Sequence, residues 1–303
     1  IYHVRYAHDI YKSGVICLSK TKAFWLSLCA TLAVLVPLYC MAMALTITRV
    51  QPTDTPQQGV PIAQPTRADA KTVLVLTGAK TAQTADTYVL LHFDALQNKV
   101  AVAALPQQTQ VQIDGKTSTL RAAAESAGPS QCVAALEQTL EIVIDNYLFA
   151  APETLCKIAE GLGNIKLSLR DYLTEEAIGQ LRLSVSGVQT QTLSPRLFAE
   201  VLASEQLGDA QCNTLREDGY LAFLQADTTL LAAVLPAAVR KNSPALATNI
   251  TATQIYDYAR IFDFFAKEQP QYSALALPGR FTQDLFLLDA DATKIATDVL
   301  RKK

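Results

Sequence analysis

The sequence predicts an α/β sandwich with a mixed central sheet, preceded by one transmembrane helix. Three observations predict it. An uncharged run of 26 residues spans 23–48, a proline-rich stretch follows, and short apolar runs then alternate with amphipathic helical patterns to the end.

The uncharged run reads AFWLSLCATLAVLVPLYCMAMAL at its core. About 20 apolar residues suffice to cross roughly 30 Å of hydrocarbon. Lys20 and Lys22 precede it, with Arg5 and Lys12 upstream, whereas Arg49 alone follows at once. That excess places residues 1–22 in the cytoplasm and everything after the span outside, a single-pass type II protein of the cell membrane. Pro37 is tolerable in a spanning helix. The run is long for a cleaved signal peptide and lacks a small-x-small cleavage site, so a signal-anchor is expected. Residues 49–70 carry four prolines and little to bury, which makes an extended extracellular stalk. Residues 71–303 form the extracellular domain.

Composition narrows the function. Half of the 303 residues are apolar and 18% are charged, which excludes a disordered chain. The net charge of -2 divides into +4 over residues 1–49 and -6 over the rest. No basic face suited to nucleic acid is implied. Cys17, Cys29 and Cys40 lie in or beside the apolar run, while Cys132, Cys156 and Cys212 are external and lack metal-ligand spacing. One external pair, such as Cys132 with Cys156, can oxidise; buried free thiols fit as well.

The runs at 71–77 (KTVLVLT), 87–93 (TYVLLHF) and 99–105 (KVAVAAL) are continuously apolar, as strands covered on both faces are. Residues 94–98 join the second and third as a hairpin. Residues 109–113 alternate. A helix starts at Pro129, with Gly128 or Ser130 near its cap. A strand is expected at 142–149, a helix from Pro152 to the Gly161/Gly163 pair, and a strand at 165–169. Helices are expected at 195–203, 219–238 and 253–266, with a late strand at 284–288.

GxSxG, a Walker loop, HExxH and paired CxxC are all absent. His92 is the only histidine beyond the anchor and sits mid-strand, where a core or edge role fits better than a base.

The ordered segments TVLVLTG, ADTYVLLHFD, KVAVAALPQQTQVQI, LRAAAESAGP, IDNYLFAAPETLCKIAEGLG, SGVQTQTLSPRLFAEVLA, LREDGYLAFL and TNITATQIYDYARIF, with LPG at 277–279, carry the strongest signal. In this order, behind one N-terminal span, they resemble the LytR-CpsA-Psr family of bacterial cell-envelope proteins over about residues 72–300. The resemblance implies a membrane-anchored phosphotransferase that moves a glycopolymer from polyprenyl pyrophosphate to peptidoglycan. It also implies an apolar slot for the lipid chain, an arginine cluster at the slot's mouth and a divalent metal, magnesium, if the protein is active.

Carried over segment by segment, that site is depleted. The Asp two residues after the loop glycine is Lys80. Arg-Ser-Asp-Thr is Thr84-Ala85-Asp86-Thr87, and Ile-Pro-Arg-Asp is Leu105-Pro106-Gln107-Gln108. Lys-Ile-Asn is Thr119-Leu120-Arg121, and Ala-Arg-x-Arg aligns with Leu202-Ala203-Ser204-Glu205. Arg216 keeps the last arginine, followed by Glu217 and Asp218. Hydrogen bonds to charged groups are each worth about 1.5–3 kcal/mol, so losing two to four costs on the order of 10²-fold or more in affinity or rate. The resemblance leaves Asp86 and Arg216 as catalytic candidates, Lys80 and Arg121 as anion-binding candidates, and Asp86 as the metal candidate.

Three readings follow. The favoured one is an envelope-assembly protein that binds a polyprenyl-phosphate-type lipid, a lipid-linked glycan or a protein partner with little or no catalysis. The second is an active transferase with a site rebuilt from Lys80, Asp86, Arg121 and Arg216. The third is a structural domain that binds a protein and no lipid.

Overall fold

The computed structural model describes residues 64–79, 85–169, 173–181, 183, 190–205, 207 and 209–300. The anchor expected at 23–48, most of the stalk and Lys80 lie outside these residues.

The chain enters β1 (Ala70–Thr77), β2 (Thr87–Asp94) and β3 (Lys99–Leu105), then β4 (Gln110–Ile113) and β5 (Lys116–Thr119). Helices α1 (Leu120–Ala127) and α2 (Pro129–Leu140) follow, then β6 (Asn146–Ala150), α3 (Pro152–Ala159), β7 (Ile165–Ser168), α4 (Glu175–Gln180) and β8 (Thr190–Leu193). The rest comprises α5 (Pro195–Leu202), α6 (Asp209–Gln225), α7 (Thr228–Asn242), β9 (Leu246–Thr248), α8 (Ala252–Lys267), β10 (Gln271–Ala274), β11 (Gly279–Thr282), β12 (Leu285–Leu288) and α9 (Ala290–Leu300).

The central sheet has the order β10-β3-β2-β1-β6-β9. It is mixed: β1 runs antiparallel to β2 and parallel to β6, and β3 runs antiparallel to β2 and parallel to β10. Successive side chains of a strand point to opposite faces, so the uninterrupted apolar runs serve two cores. Val73, Val75, Leu91 and Val102 face the layer built from α3 to α8. Leu74, Leu76, Leu90 and Ala103 face α1, α2 and α9. His92 is buried in β2, with Nδ1 2.9 Å from Thr72 Oγ1 on β1, the core position expected of it.

Local chemistry sets the helix ends. Thr119 accepts a hydrogen bond from the Ala122 amide at the start of α1, and Ser194 does the same for Leu197 in α5. Gly128, at φ 73°, ends α1 and turns the chain into Pro129 of α2. A Thr251–Gln254 capping box opens α8.

Three expectations are corrected. The strand expected at 142–149 begins at Asn146: Ile142 and Ile144 are buried, but the Ile144 amide donates to Glu137 Oε1 at 2.8 Å instead of to a neighbouring strand. The helix expected at 219–238 is two helices, because Asp227 accepts from the Leu230 amide and starts α7, bent 103° from α6. The Cys132–Cys156 pairing fails, since both thiols are free and the sheet lies between them: Cys132 is buried in the α1–α2 layer and Cys156 packs against the other core.

Candidate functional site

Helix α6 positions the site. Its first half is polar and its second half apolar, and residues four apart lie on one face about 6 Å apart along the axis. Cys212 and Arg216 line a polar pocket, the mouth; Tyr220, Phe223 and Leu224, further along the same helix, line an apolar cavity.

The mouth is a pocket of about 170 Å³ at the end of the sheet where β1 and β3 finish. Asp86 reaches it because its amide donates to Thr77 O at 2.7 Å, which turns the chain back into β2. Pro106 and Gln107 follow β3, while Glu205 and Asp209 come from the α5–α6 connection and the start of α6. Among the described residues, three carboxylates therefore share the mouth with one guanidinium.

Arg216 is 5% exposed and heavily committed. Its Nε donates to Leu202 O at 3.1 Å, Nη2 to Ser204 O at 2.9 Å and Nη1 to Asn213 Oδ1 at 3.5 Å. The guanidinium caps Leu202 O at the C-terminal end of α5 and, just beyond it, Ser204 O, which Cys212 Sγ also reaches at 3.5 Å. Burial pushes its pKa down, opposed by the nearby Cys212, Glu205, Tyr220 and Asp209. Burial pushes the Asp86 carboxyl above its ordinary value, against the pull of Arg121 and Arg216.

Arg121 stands on the first turn of α1, where its amide donates to Gln107 O at 3.0 Å. Its side chain is exposed and pairs with Glu125, Nε to Oε1, at 3.0 Å. Arg121 and Arg216 are each near enough to Asp86 to act on it electrostatically, while Lys80 lies outside the described residues. Glu205 stands where the resemblance expects an arginine, while Asp209, Cys212 and Tyr220 carry no signal of a site in the sequence. Cys212, Arg216 and Tyr220 recur every four residues, a helical signal obscured by the polar stretch from Asp209 to Asp218.

Among the described residues no three His, Cys, Asp or Glu side chains gather closely enough to hold a metal ion. The charged groups acting on Asp86 are arginines. A magnesium ion would need no more than one or two protein carboxylates beside substrate oxygens, and among the described residues Asp86, Glu205 and Asp209 are the groups at the mouth that would hold it.

Beyond the mouth, a cavity of about 120 Å³ lies between the sheet and helices α6, α7 and α8. Val73, Val75, Leu91, Phe93 and Leu148 form its floor; Leu235, Pro236 and Val239 of α7, with Ile255, Tyr258 and Phe262 of α8, form the roof. α7 is apolar along most of its length, yet Leu231 is its only fully buried residue. Two tyrosines border the cavity. The Tyr258 hydroxyl donates to Asn146 Oδ1 at 2.8 Å. The Tyr220 hydroxyl oxygen is buried and has no hydrogen-bond partner among the described residues.

The family model described as the LytR_cpsA_psr family matches residues 41–194. The match takes in the sheet through β8 and stops before Arg216. No curated protein matches the chain. Among solved structures, TagV of Bacillus subtilis is 17% identical with a TM-score of 0.60, covering 76% of this chain and 95% of its own. A TagT structure described as bound to LIIa-WTA is 17% identical with a TM-score of 0.63, covering 78% and 95%. Lin1025 of Listeria innocua is 17% identical with a TM-score of 0.57, covering 78% and 97%. At these identities the structures establish a shared fold.

Proposed function

The chain belongs to the LytR_cpsA_psr family, and from that premise we propose that it works in bacterial cell-envelope glycopolymer assembly by binding a polyprenyl-phosphate-type lipid, with little or no catalysis. The observation that carries this reading is the two-ended face of α6: Arg216 in a polar mouth, and Tyr220, Phe223 and Leu224 in an apolar cavity. A long prenyl chain needs apolar walls, and its phosphate needs a cation where the walls end. The TagT structure holding LIIa-WTA supports a lipid-linked glycan as the ligand class. The anchor at 23–48 keeps the domain at the outer face of the cell membrane, where such carriers and peptidoglycan meet.

The weak-catalysis part of the reading rests on charge. A pyrophosphate leaving group needs several preorganised cations. Among the described residues, the mouth instead pairs one arginine, bonded to two backbone carbonyls, with three carboxylates. Like charges confronting a diphosphate raise the barrier that the site must lower.

One observation favours the alternative, an active phosphotransferase: Arg121 and Arg216 both pull on Asp86, which lines the mouth. Purified full chain incubated with a polyprenyl-pyrophosphate glycan and an acceptor peptidoglycan separates the two readings. Co-purifying polyprenyl phosphate without turnover supports the binding role. Release of polyprenyl phosphate with transfer of the glycan overturns it in favour of the transferase. Binding of neither lipid overturns both and leaves a domain that serves a protein partner.

A further inference from the structure

An apolar cavity of about 150 Å³ takes one benzene molecule, and the space under α7 and α8 is smaller, about 120 Å³. A prenyl chain of several isoprene units cannot lie inside it as it stands, so a wall has to move. The floor is fixed, because β1 is bonded along one edge to β2 and along the other to β6. Helix α8 is pinned along its length: Tyr258, Ile261, Phe262 and Phe265 are buried, and the rings of Tyr258 and Phe262 meet the Phe93 ring edge-on. The Tyr258 hydroxyl also donates to Asn146, and Arg260 holds Asp69. Helix α7 is held by far less. Leu231 is its only fully buried residue. Among the described residues its side chains reach no other element by hydrogen bond or ion pair: Asn242 donates to Ala238 O inside the helix, and the Leu230 amide donates to Asp227 at the helix's own cap. Pro236 has no amide to offer the Ala232 carbonyl. Both ends of α7 run into exposed residues, 226–227 after α6 and 243–244 before β9.

Resting on the lipid-binding reading, we infer that α7 is a lid over the cavity: it swings outward on those two ends to admit a prenyl chain, while α8 stays as the fixed wall. Closed, the apolar side of α7 at Leu235, Pro236 and Val239 rests against the cavity. Open, the same side is covered by the entering chain, so an apolar ligand favours the open form and water alone favours the closed one. Opening parts α7 from the turn Glu160–Leu162 after α3, which it approaches so closely that a Cβ on Gly161 would stand 2.5 Å from Val234 Cγ1.

That close approach supplies the test. The same Cβ would lie 3.9 Å from Val234 Cβ, inside the roughly 3.5–4.5 Å that a disulfide bridges. Gly161→Cys combined with Val234→Cys in the full chain, oxidised with diamide, therefore ties α7 down, and neither residue lines the cavity. Peptide mapping verifies the bond, and the two single variants, treated alike, control for the native thiols. Binding of geranylgeranyl monophosphate is titrated by native mass spectrometry after release from detergent. The oxidised double variant should bind about tenfold more weakly or not at all, and dithiothreitol should restore binding. In the unliganded parent, the amides of α7 should exchange with deuterium about tenfold faster than those of α8 and slow when the ligand binds. Equal binding by the oxidised and reduced double variant overturns the lid and leaves the lipid reading standing. If the double variant binds in neither form, exchange in the parent decides: α7 amides as slow as those of α8 overturn the lid, and faster ones that the ligand slows support it. Failure of the parent chain to bind the ligand overturns the lipid reading and this inference together.

Discussion

Arg260 on α8 grips Asp69 at the threshold of β1, donating from Nε at 2.9 Å and Nη2 at 2.6 Å to the same carboxylate oxygen across 191 residues of chain. The other oxygen accepts from the Thr66 amide and hydroxyl at 2.8 and 2.9 Å. Asp69 is buried, and α8 also supplies Ile255, Tyr258 and Phe262 to the cavity roof. The point where the chain enters the domain is therefore fastened to a wall of the apolar cavity.

Asp69→Asn should cost about 1–3 kcal/mol in urea unfolding at pH 7. Burial alone would push the Asp69 carboxyl up, but the hydrogen bonds from Thr66 and Arg260 and the charge of Arg260 outweigh it and leave the pKa below the ordinary 3.8. A depressed carboxylate pKa adds stability that is complete above the unfolded value and is lost as pH falls through the folded one. The parent should lose this increment below about pH 4, and the variant should show a flatter acid limb. An equally steep limb in the variant would assign the acid sensitivity to other carboxylates.

Arg216→Ala should lower stability by about 2–4 kcal/mol, because the Leu202 carbonyl loses its donor inside the fold and the Ser204 carbonyl is left with Cys212 Sγ in place of the guanidinium. Loss of any activity in that variant is consequently ambiguous. Arg216→Lys keeps the charge and gives up the fork, so its unfolding midpoint should fall between those of parent and alanine variant. A midpoint for Arg216→Ala equal to the parent's would contradict the structural role assigned to the guanidinium.

Gly219→Ala should destabilise by about 1–3 kcal/mol, although alanine in a helix interior is ordinarily about 1 kcal/mol better than glycine. A Cβ at this position would stand 2.3 Å from Leu202 Cδ2. Leu202 is also the residue whose carbonyl receives Arg216 Nε. The glycine lets α5 and α6 approach closely enough for that bond. Increased stability in thermal unfolding would show that Leu202 yields easily and would weaken the coupling argued here.

Glu205→Gln removes one carboxylate from the mouth, and Gln107→Arg adds a cation there. Each should strengthen geranylgeranyl monophosphate binding about two- to fivefold at low salt, with the gain shrinking as ionic strength rises. Unchanged affinity in both variants would mean that the phosphate does not sit at this pocket.

The elements that proved readable are those in which burial and period agree. β1, β2 and β3 stand out as unbroken apolar runs because both faces of each are covered, and α5 and α8 because one stripe meets the core. β9 and β10 are edge strands of three and four residues with no fully buried side chain, too short and too exposed to leave a pattern. Helix α6 stayed hidden at its start because its polar half serves a pocket, with Arg216 and Glu217 buried by tertiary contacts; the Glu217 carboxylate accepts from the Ala104 amide of β3 at 3.2 Å. Arg216 was identifiable from family resemblance, but its bonding to Leu202 and Ser204 was not, since a backbone carbonyl leaves no trace in residue type. Tyr220 was invisible for a similar reason: a phenol lacking a partner looks in sequence like any other aromatic at a core position.

The sheet is also a partition. Because β1, β2 and β3 send alternate side chains into two cores that do not mix, the helices roofing the cavity can loosen without unseating α1, α2 and α9 behind the strands. A bulky guest would thus be accommodated by one half of the molecule, while the opposite half keeps the strands in register.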